Sequence, residues 1–169
     1  MGEIKKLEEQ VVALLLENGY TITTVESCTA GLLSSTIVNV SGSSSCFNEG
    51  YVTYSNKAKE RLVGVSHATL EQYGAVSEET AREMAQGGAS VANANVALSV
   101  TGIAGPTGGT KEKPVGLVYL GCCVNGIVEV IECQFHGTRE ENRKSSVEAA
   151  LKLAITAINN ASMKKCKSV

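Results

Sequence analysis

Three residues of this chain are of types that can together do covalent chemistry: Ser27, Tyr54 and Lys59. Ser27 stands in Val25-Glu26-Ser27-Cys28-Thr29-Ala30-Gly31, where a short β-branched run passes into a helix through small polar residues. Amides at such a helix start lack partners within the helix, and suit an anion or a hydroxyl acquiring negative charge. Plain helix capping by Ser27 or Thr29 is the competing reading. Tyr54 and Lys59 lie in Gly50-Tyr51-Val52-Thr53-Tyr54-Ser55-Asn56-Lys57-Ala58-Lys59, with Tyr54 at the end of a predicted strand and Lys59 inside the following helix. Serine is a poor nucleophile until a neighbour takes its proton. Both histidines, His67 and His136, have weakly patterned surroundings, so lysine is the natural base if desolvation or a nearby cation lowers its pKa. Tyr54 can relay or donate a proton. The alternative makes these residues solvated members of a helix start, which is the reading adopted for Lys57. Cys28 is a rival nucleophile, because a helix start favours a thiolate.

A second unusual segment is Thr101-Gly102-Ile103-Ala104-Gly105-Pro106-Thr107-Gly108-Gly109-Thr110. It is neither a Walker A loop, since no Gly-Lys-Ser/Thr follows, nor a dinucleotide G-x-G-x-x-G. Its glycines still let backbone amides close around a phosphate or an oxyanion, and Lys111 and Lys113 add positive charge. A bare surface loop is the alternative. Arg139 and Arg143 lie one turn apart at the start of the last helix, and can hold a phosphate or sit in water.

The elements that must position these residues follow from periodicity. Over residues 3–18, Ile4, Leu7, Val11, Leu14 and Leu15 share one side of a 3.6-residue repeat that stops at Asn18-Gly19, which predicts an amphipathic helix. Strands are predicted at 21–25, 47–54 and 96–100, with a buried helix after Gly31 and further helices over 56–63 and from 78 to about 93. Ser66 and Ser77 read as helix N-caps. Runs 117–124 and 127–135 flank Asn125-Gly126, a strong hairpin signal. A last helix is predicted from Arg139 to about residue 159, leaving 161–169 as a frayed basic tail. Residues 1–160 thus form one α/β domain, a three-layer α/β/α sandwich with a mixed, mostly parallel sheet. Sites in such sheets form where loops leave the carboxyl ends of strands, which is where Ser27 and the glycine-rich segment lie.

Composition narrows the function classes. The chain has 169 residues, enough for one core and too few for two comfortable ones, with 43% apolar and 19% charged residues, so it reads as globular. A net charge of −2 offers no domain-wide basic footprint, and 4% aromatics without Trp offer no stacking platform; no nucleic-acid partner is expected. No run is long and apolar enough for a membrane helix and no secretory signal is visible, so a cytoplasmic protein without a membrane partner is expected. The six cysteines include no C-x-x-C pair, which favours reduced thiols over disulfides or zinc.

Taken together, ESCTAGLL, GSSSCFNEGYVTYSNKAKERLVGV, YGAVSEETAREMA, VTGIAGPTGGTKEKPVGLVY and FHGTREENR resemble the CinA C-terminal domain family, whose stand-alone members include nicotinamide-nucleotide amidases. The resemblance runs in order from about residue 5 to 158. It implies a single, often self-associating α/β/α domain that hydrolyses the carboxamide of nicotinamide mononucleotide to nicotinate mononucleotide and ammonia, without metal or cofactor. It places catalytic roles on Ser27, Tyr54 and Lys59. Substrate contacts fall on Thr29, Thr101, Gly102, Ile103, Ala104, Gly105 and Arg139. The rival implication is a non-catalytic nucleotide-binding or competence-associated protein on the same fold. One departure stands out: Ala30 replaces the first of two glycines, where its methyl is expected to be harmless inside a helix unless a ligand approaches the backbone. The upstream domain of longer relatives, associated with ADP-ribose pyrophosphatase activity, is not seen, and that activity is not expected.

Overall fold

In the computed structural model, which describes residues 6–166, helices and strands alternate at first, and three helices in succession then precede the central strand. The order is α1 (Leu7–Asn18), β1 (Ile22–Glu26), α2 (Leu32–Val38), a 3₁₀ turn (Ser43–Ser45), β2 (Tyr51–Val52), α3 (Asn56–Val63), α4 (His67–Tyr73), α5 (Glu78–Val91) and β3 (Val96–Gly102). A hairpin of β4 (Leu117–Val124) and β5 (Ile127–Gln134) and the long α6 (Arg139–Cys166) complete it. The strands form one sheet in the order β2-β1-β3-β4-β5. β1 pairs parallel with both β2 and β3, whereas β4 is antiparallel to β3 and to β5, so β4 alone runs against the other strands.

Period-two alternation in β3 and β4 divides the interior. Val96, Leu98, Val100, Val118, Leu120 and Cys122 join the larger core beneath α1, α2 and α6. Ala97 and Cys123 point to the other face and pack with Ala85 of α5, while Val25, Val63, Leu70 and Met84 form a second cluster with α3 and α4. Helix α5 lies very close to the sheet: a Cβ on Gly88 would stand 2.3 Å from Val25 Cγ2. The turn at Asn125 (φ 49°) and Gly126 (φ 85°) has the two left-handed residues of a type I′ hairpin, as the Asn-Gly pair predicts.

Two expectations need correction. The predicted strand over 47–54 shrinks to Tyr51–Val52, with Phe47 making only an isolated bridge to Ile22. Between them the Glu49 carbonyl accepts from the Thr23 hydroxyl at 2.8 Å, so a side chain replaces the ladder, and Tyr54 lies beyond the strand. The predicted fraying from Ala161 does not occur over residues 161–166, which continue α6. Ala161 packs against the core there, and Ser162 Oγ donates to Asn18 Oδ1 at 2.8 Å, so contacts with the core and α1 carry the helix past the point where its sequence turns polar. Ile4 and residues 167–169 lie outside the described residues.

Candidate active site

Ser27 follows β1 directly, and Lys59 is on α3, from the opposite helix layer. Helix α3 starts at Ser55, whose side chain accepts from Ala58 N at 3.1 Å, and stops at Gly64 with φ 71°. Its inward stripe consists of Lys59 and Val63, one turn apart, so Lys59 occupies a position normally apolar. The result is a lysine only 1% exposed. Its Nζ donates to Ser27 Oγ at 3.0 Å and to the Thr53 carbonyl at 2.8 Å. No described carboxylate forms an ion pair with it. Burial without a counter-ion lowers its pKa from 10.5 to about 8, because desolvation penalises the ammonium.

The same burial has the opposite consequence one residue on. Cys28 is pushed up to about 11, chiefly by desolvation. A thiol held neutral is a poor nucleophile, and Lys59 Nζ bonds the Ser27 hydroxyl rather than the Cys28 thiol.

The backbone after Ser27 differs from the sequence expectation. Helix α2 begins only at Leu32, and Ala30 (φ 47°) and Gly31 (φ 96°) form a left-handed turn before it. Ala30 is therefore not inside a helix. Nor do the amides at the helix start point freely outward. The fully buried Glu26 carboxylate takes Gly31 N and Leu33 N on Oε2, each at 3.0 Å, and Ser34 N on Oε1 at 2.8 Å. Ser27 N is bonded to Val100 O at 2.9 Å and Ala30 N to Ser27 O at 3.2 Å.

The glycine-rich loop is pinned rather than loose. Ile103 N bonds Leu117 O and Gly116 N bonds Ile103 O, at 2.9 and 2.7 Å, which closes its base. Lys113 Nζ donates to Tyr73 O at 2.6 Å, so this lysine fastens the loop to α4. The first turns of α6 hold both site segments. Asn142, 1% exposed, donates to Ala104 O at 3.0 Å. Arg143 donates to Cys28 O at 3.0 Å and Thr29 O at 2.7 Å. Arg139 donates to Gly105 O at 2.8 Å and Tyr54 Oη at 3.2 Å. Neither arginine is simply solvated. Because a trans peptide is planar with C=O and N–H opposed, fixing Ala104 O toward α6 directs the Gly105 N–H away from it.

Between these segments lies a cleft of about 270 Å³ lined by Ser27, Tyr54, Lys59, Thr101, Gly105 and Arg139 among others, near the lower end of small-molecule pockets. Gly102, Ile103 and Ala104 also reach it. Thr101 is buried there, its hydroxyl donating to Ala75 O at 2.6 Å. Thr29 is the exception among the predicted contacts: it is fully buried and off the cleft wall. The amides of Ala104 and Gly105 take part in no backbone bond, and both residues line the cleft. Sequence reasoning missed Glu26 and Asn142. A lone acid ending a buried β-branched strand was the available signal for Glu26. For Asn142 it was the Thr138-x-x-Glu141 pattern, a capping box whose two bonds, at 2.7 and 3.3 Å, set the α6 start.

Comparison with known proteins agrees with this architecture. The family model described as the CinA C-terminal domain matches residues 4–158. A CinA-like protein of Kosmotoga olearia is 56% identical over 151 residues, which cover 89% of this chain and 36% of that relative; the chain thus spans little more than a third of that protein's length. Among solved structures, a competence/damage inducible protein from Agrobacterium tumefaciens superposes with a TM-score of 0.86 at 40% identity, covering 94% of this chain and 99% of the other. A CinA superfamily protein from Klebsiella pneumoniae gives 0.88 at 30% identity, covering 92% and 99%. A family model spanning nearly the whole sequence and solved folds of matching extent lead to one assignment: the chain belongs to the CinA C-terminal domain family.

Proposed function

We propose that this protein is an amidohydrolase that converts nicotinamide mononucleotide and water to nicotinate mononucleotide and ammonia. The observation that carries the reading is the buried Lys59 Nζ at 3.0 Å from Ser27 Oγ on the floor of the cleft. The substrate class comes from the nicotinamide-nucleotide amidases that the sequence resembles. With a pKa of about 8, roughly a tenth of Lys59 is neutral at pH 7, against a fraction below about 0.1% for an ordinary lysine. Neutral Lys59 takes the Ser27 proton as Oγ bonds to the carboxamide carbon. The Gly105 amide, with that of Ala104, receives the tetrahedral oxyanion. Lys59 returns the proton to the leaving nitrogen with Tyr54 as relay, the C–N bond breaks and ammonia departs. Water then hydrolyses the Ser27 ester to the carboxylate. Arg139, whose guanidinium keeps unspent N–H donors beyond its two bonds, is assigned to the substrate phosphate.

A cytoplasmic, self-associating enzyme fits this role, and Cys28, Cys46, Cys122, Cys123 and Cys133 are free thiols. Among the described residues no helix is long and apolar enough to cross a membrane.

Ammonia release from nicotinamide mononucleotide is the test, run on wild type with and without EDTA and on Ser27→Ala. Expected is EDTA-insensitive turnover that falls at least about 10³-fold in the variant. A wild-type protein that binds the nucleotide and releases no ammonia would leave only the non-catalytic reading, and metal-restored activity would sink the Ser–Lys mechanism.

A further inference from the structure

Glu26 has no part in the chemistry above, yet it touches a support on each side of the Ser27–Lys59 pair. Its carboxylate is fully buried and both oxygens are spent. Oε2 accepts from Gly31 N and Leu33 N, and Oε1 from Ser34 N and, at 2.7 Å, Ser34 Oγ. Ser34 Oγ in turn shares a 2.6 Å hydrogen bond with Thr24 Oγ1, which fastens α2 to β1. The main chain of Glu26 does the other half. Its carbonyl accepts from Thr53 N at 2.8 Å, and the Thr53 carbonyl accepts from Lys59 Nζ at 2.8 Å. One residue therefore bridges the turn that follows the nucleophile and the segment that holds the base.

We propose that Glu26 is a positioning residue: its carboxylate fixes the 27–31 turn so that Ser27 Oγ stays within reach of Lys59. The inference rests on the reading of Ser27 as nucleophile. A carboxylate is the side chain that fits here, because every group facing it is a donor or can become one. Glutamine has the same shape but replaces one acceptor oxygen with an NH₂. That group faces amide hydrogens it cannot accept from, so the turn must shift. A displacement of about 1 Å at a nucleophile costs about 10²-fold in rate.

The experiment follows Ser27 with a reagent independent of any substrate. Phenylmethanesulfonyl fluoride reacts as Ser27 Oγ bonds to sulfur, the S–F bond breaks, fluoride leaves and the proton passes to Lys59; intact mass reads the adduct and peptide mapping places it. Wild type is compared with Glu26→Gln and Glu26→Asp at a temperature where thermal unfolding shows all three folded. We expect labelling of Ser27 in wild type, labelling about 10²-fold slower in Glu26→Gln, and an intermediate rate in Glu26→Asp, which keeps the charge on a shorter arm. The alkaline midpoint of labelling stays near 8 in all three, since Lys59 Nζ is held by the Thr53 carbonyl and Thr53 N by the main-chain carbonyl of residue 26, neither of which the substitutions remove. A merely structural Glu26 would lower the melting temperature and leave the folded variant's labelling rate at the wild-type value; that result overturns the proposal, as does an unlabelled wild-type Ser27. Wild type that labels at Ser27 but releases no ammonia from nicotinamide mononucleotide, with slow labelling in Glu26→Gln, removes the substrate assignment and upholds the role of Glu26.

Discussion

The turn after β1 and the loop after β3 leave neighbouring parallel strands at the same end of the sheet, but their backbones are satisfied differently. In the turn, Glu26 consumes the amides of Gly31, Leu33 and Ser34, Val100 takes that of Ser27, and Arg143 holds the carbonyls of Cys28 and Thr29. The loop is held at separate points, by Asn142 on Ala104 O, Arg139 on Gly105 O and Lys113 on Tyr73 O. Between those points the amides of Ala104, Gly105, Thr107 and Gly108 remain outside every backbone bond. The turn spends most of its donors on itself, leaving only the amides of Cys28 and Thr29 outside these bonds, and presents a hydroxyl; the loop is anchored by its carbonyls and presents its donors. A rigid nucleophile and a receptive oxyanion site need those opposite solutions.

Removing the base tests the first segment most severely. Lys59→Met is expected to lower kcat by about 10²–10⁴-fold without unfolding the protein, since it replaces a buried, uncompensated ammonium with an apolar chain of similar length. Wild-type kcat/KM should rise with pH through a midpoint near 8, as the amine form accumulates. The stability effect has a definite sign. The folded pKa of about 8 lies below the unfolded 10.5, so the contribution is whole above 10.5 and is lost as pH falls through 8. Wild type should therefore gain on the order of 3 kcal/mol between those values relative to Lys59→Met. Urea unfolding of both proteins across this range measures it, and parallel pH profiles would show that Lys59 is not desolvated.

The second segment is tested through its anchor. Asn142→Asp keeps the acceptor that takes Gly137 N at 2.9 Å but loses the donor to Ala104 O and Gly137 O. The Ala104–Gly105 peptide is then free to turn. If the Gly105 amide receives the oxyanion, kcat falls about 10²-fold with KM little changed, the pattern of a contact made in the transition state. Wild-type kcat in a folded Asn142→Asp protein would mean that the orientation of the Ala104–Gly105 peptide does not depend on Asn142.

What the sequence disclosed follows the same division. Helix α3 was legible to the residue because Ser55 and Gly64 mark its ends, and the hairpin because Asn125-Gly126 admits few other conformations. Ser27, Tyr54 and Lys59 were legible as residue types and, through family resemblance, as a set. The contact between Ser27 and Lys59 was not, because it joins residues 32 apart through packing of α3 on the sheet. Thr29 lies buried off the cleft wall, a small polar residue turned inward from an exposed-looking block. Glu26 and Asn142 escaped because most of their partners are backbone groups, which no residue type marks. The short β2 escaped because the Thr23 hydroxyl, not a strand, satisfies Glu49 O.

Ala30→Gly should have the smallest effect, and it asks whether the turn is only a scaffold. Ala30 holds φ at 47°, a conformation that costs an L-residue about 1–2 kcal/mol. Glycine removes that strain but loses about 0.5–1 kcal/mol through the greater freedom of the unfolded chain. The two nearly offset, so the melting temperature should be unchanged or slightly higher. Residue 30 is exposed and not on the cleft wall, so its methyl has no route to a bound nucleotide, and kcat and KM should both stay within about twofold. A tenfold fall in KM on removing this methyl would place ligand against the turn itself. The contrast would then fail, because both segments, not the glycine-rich loop alone, would be contacting substrate with their backbones.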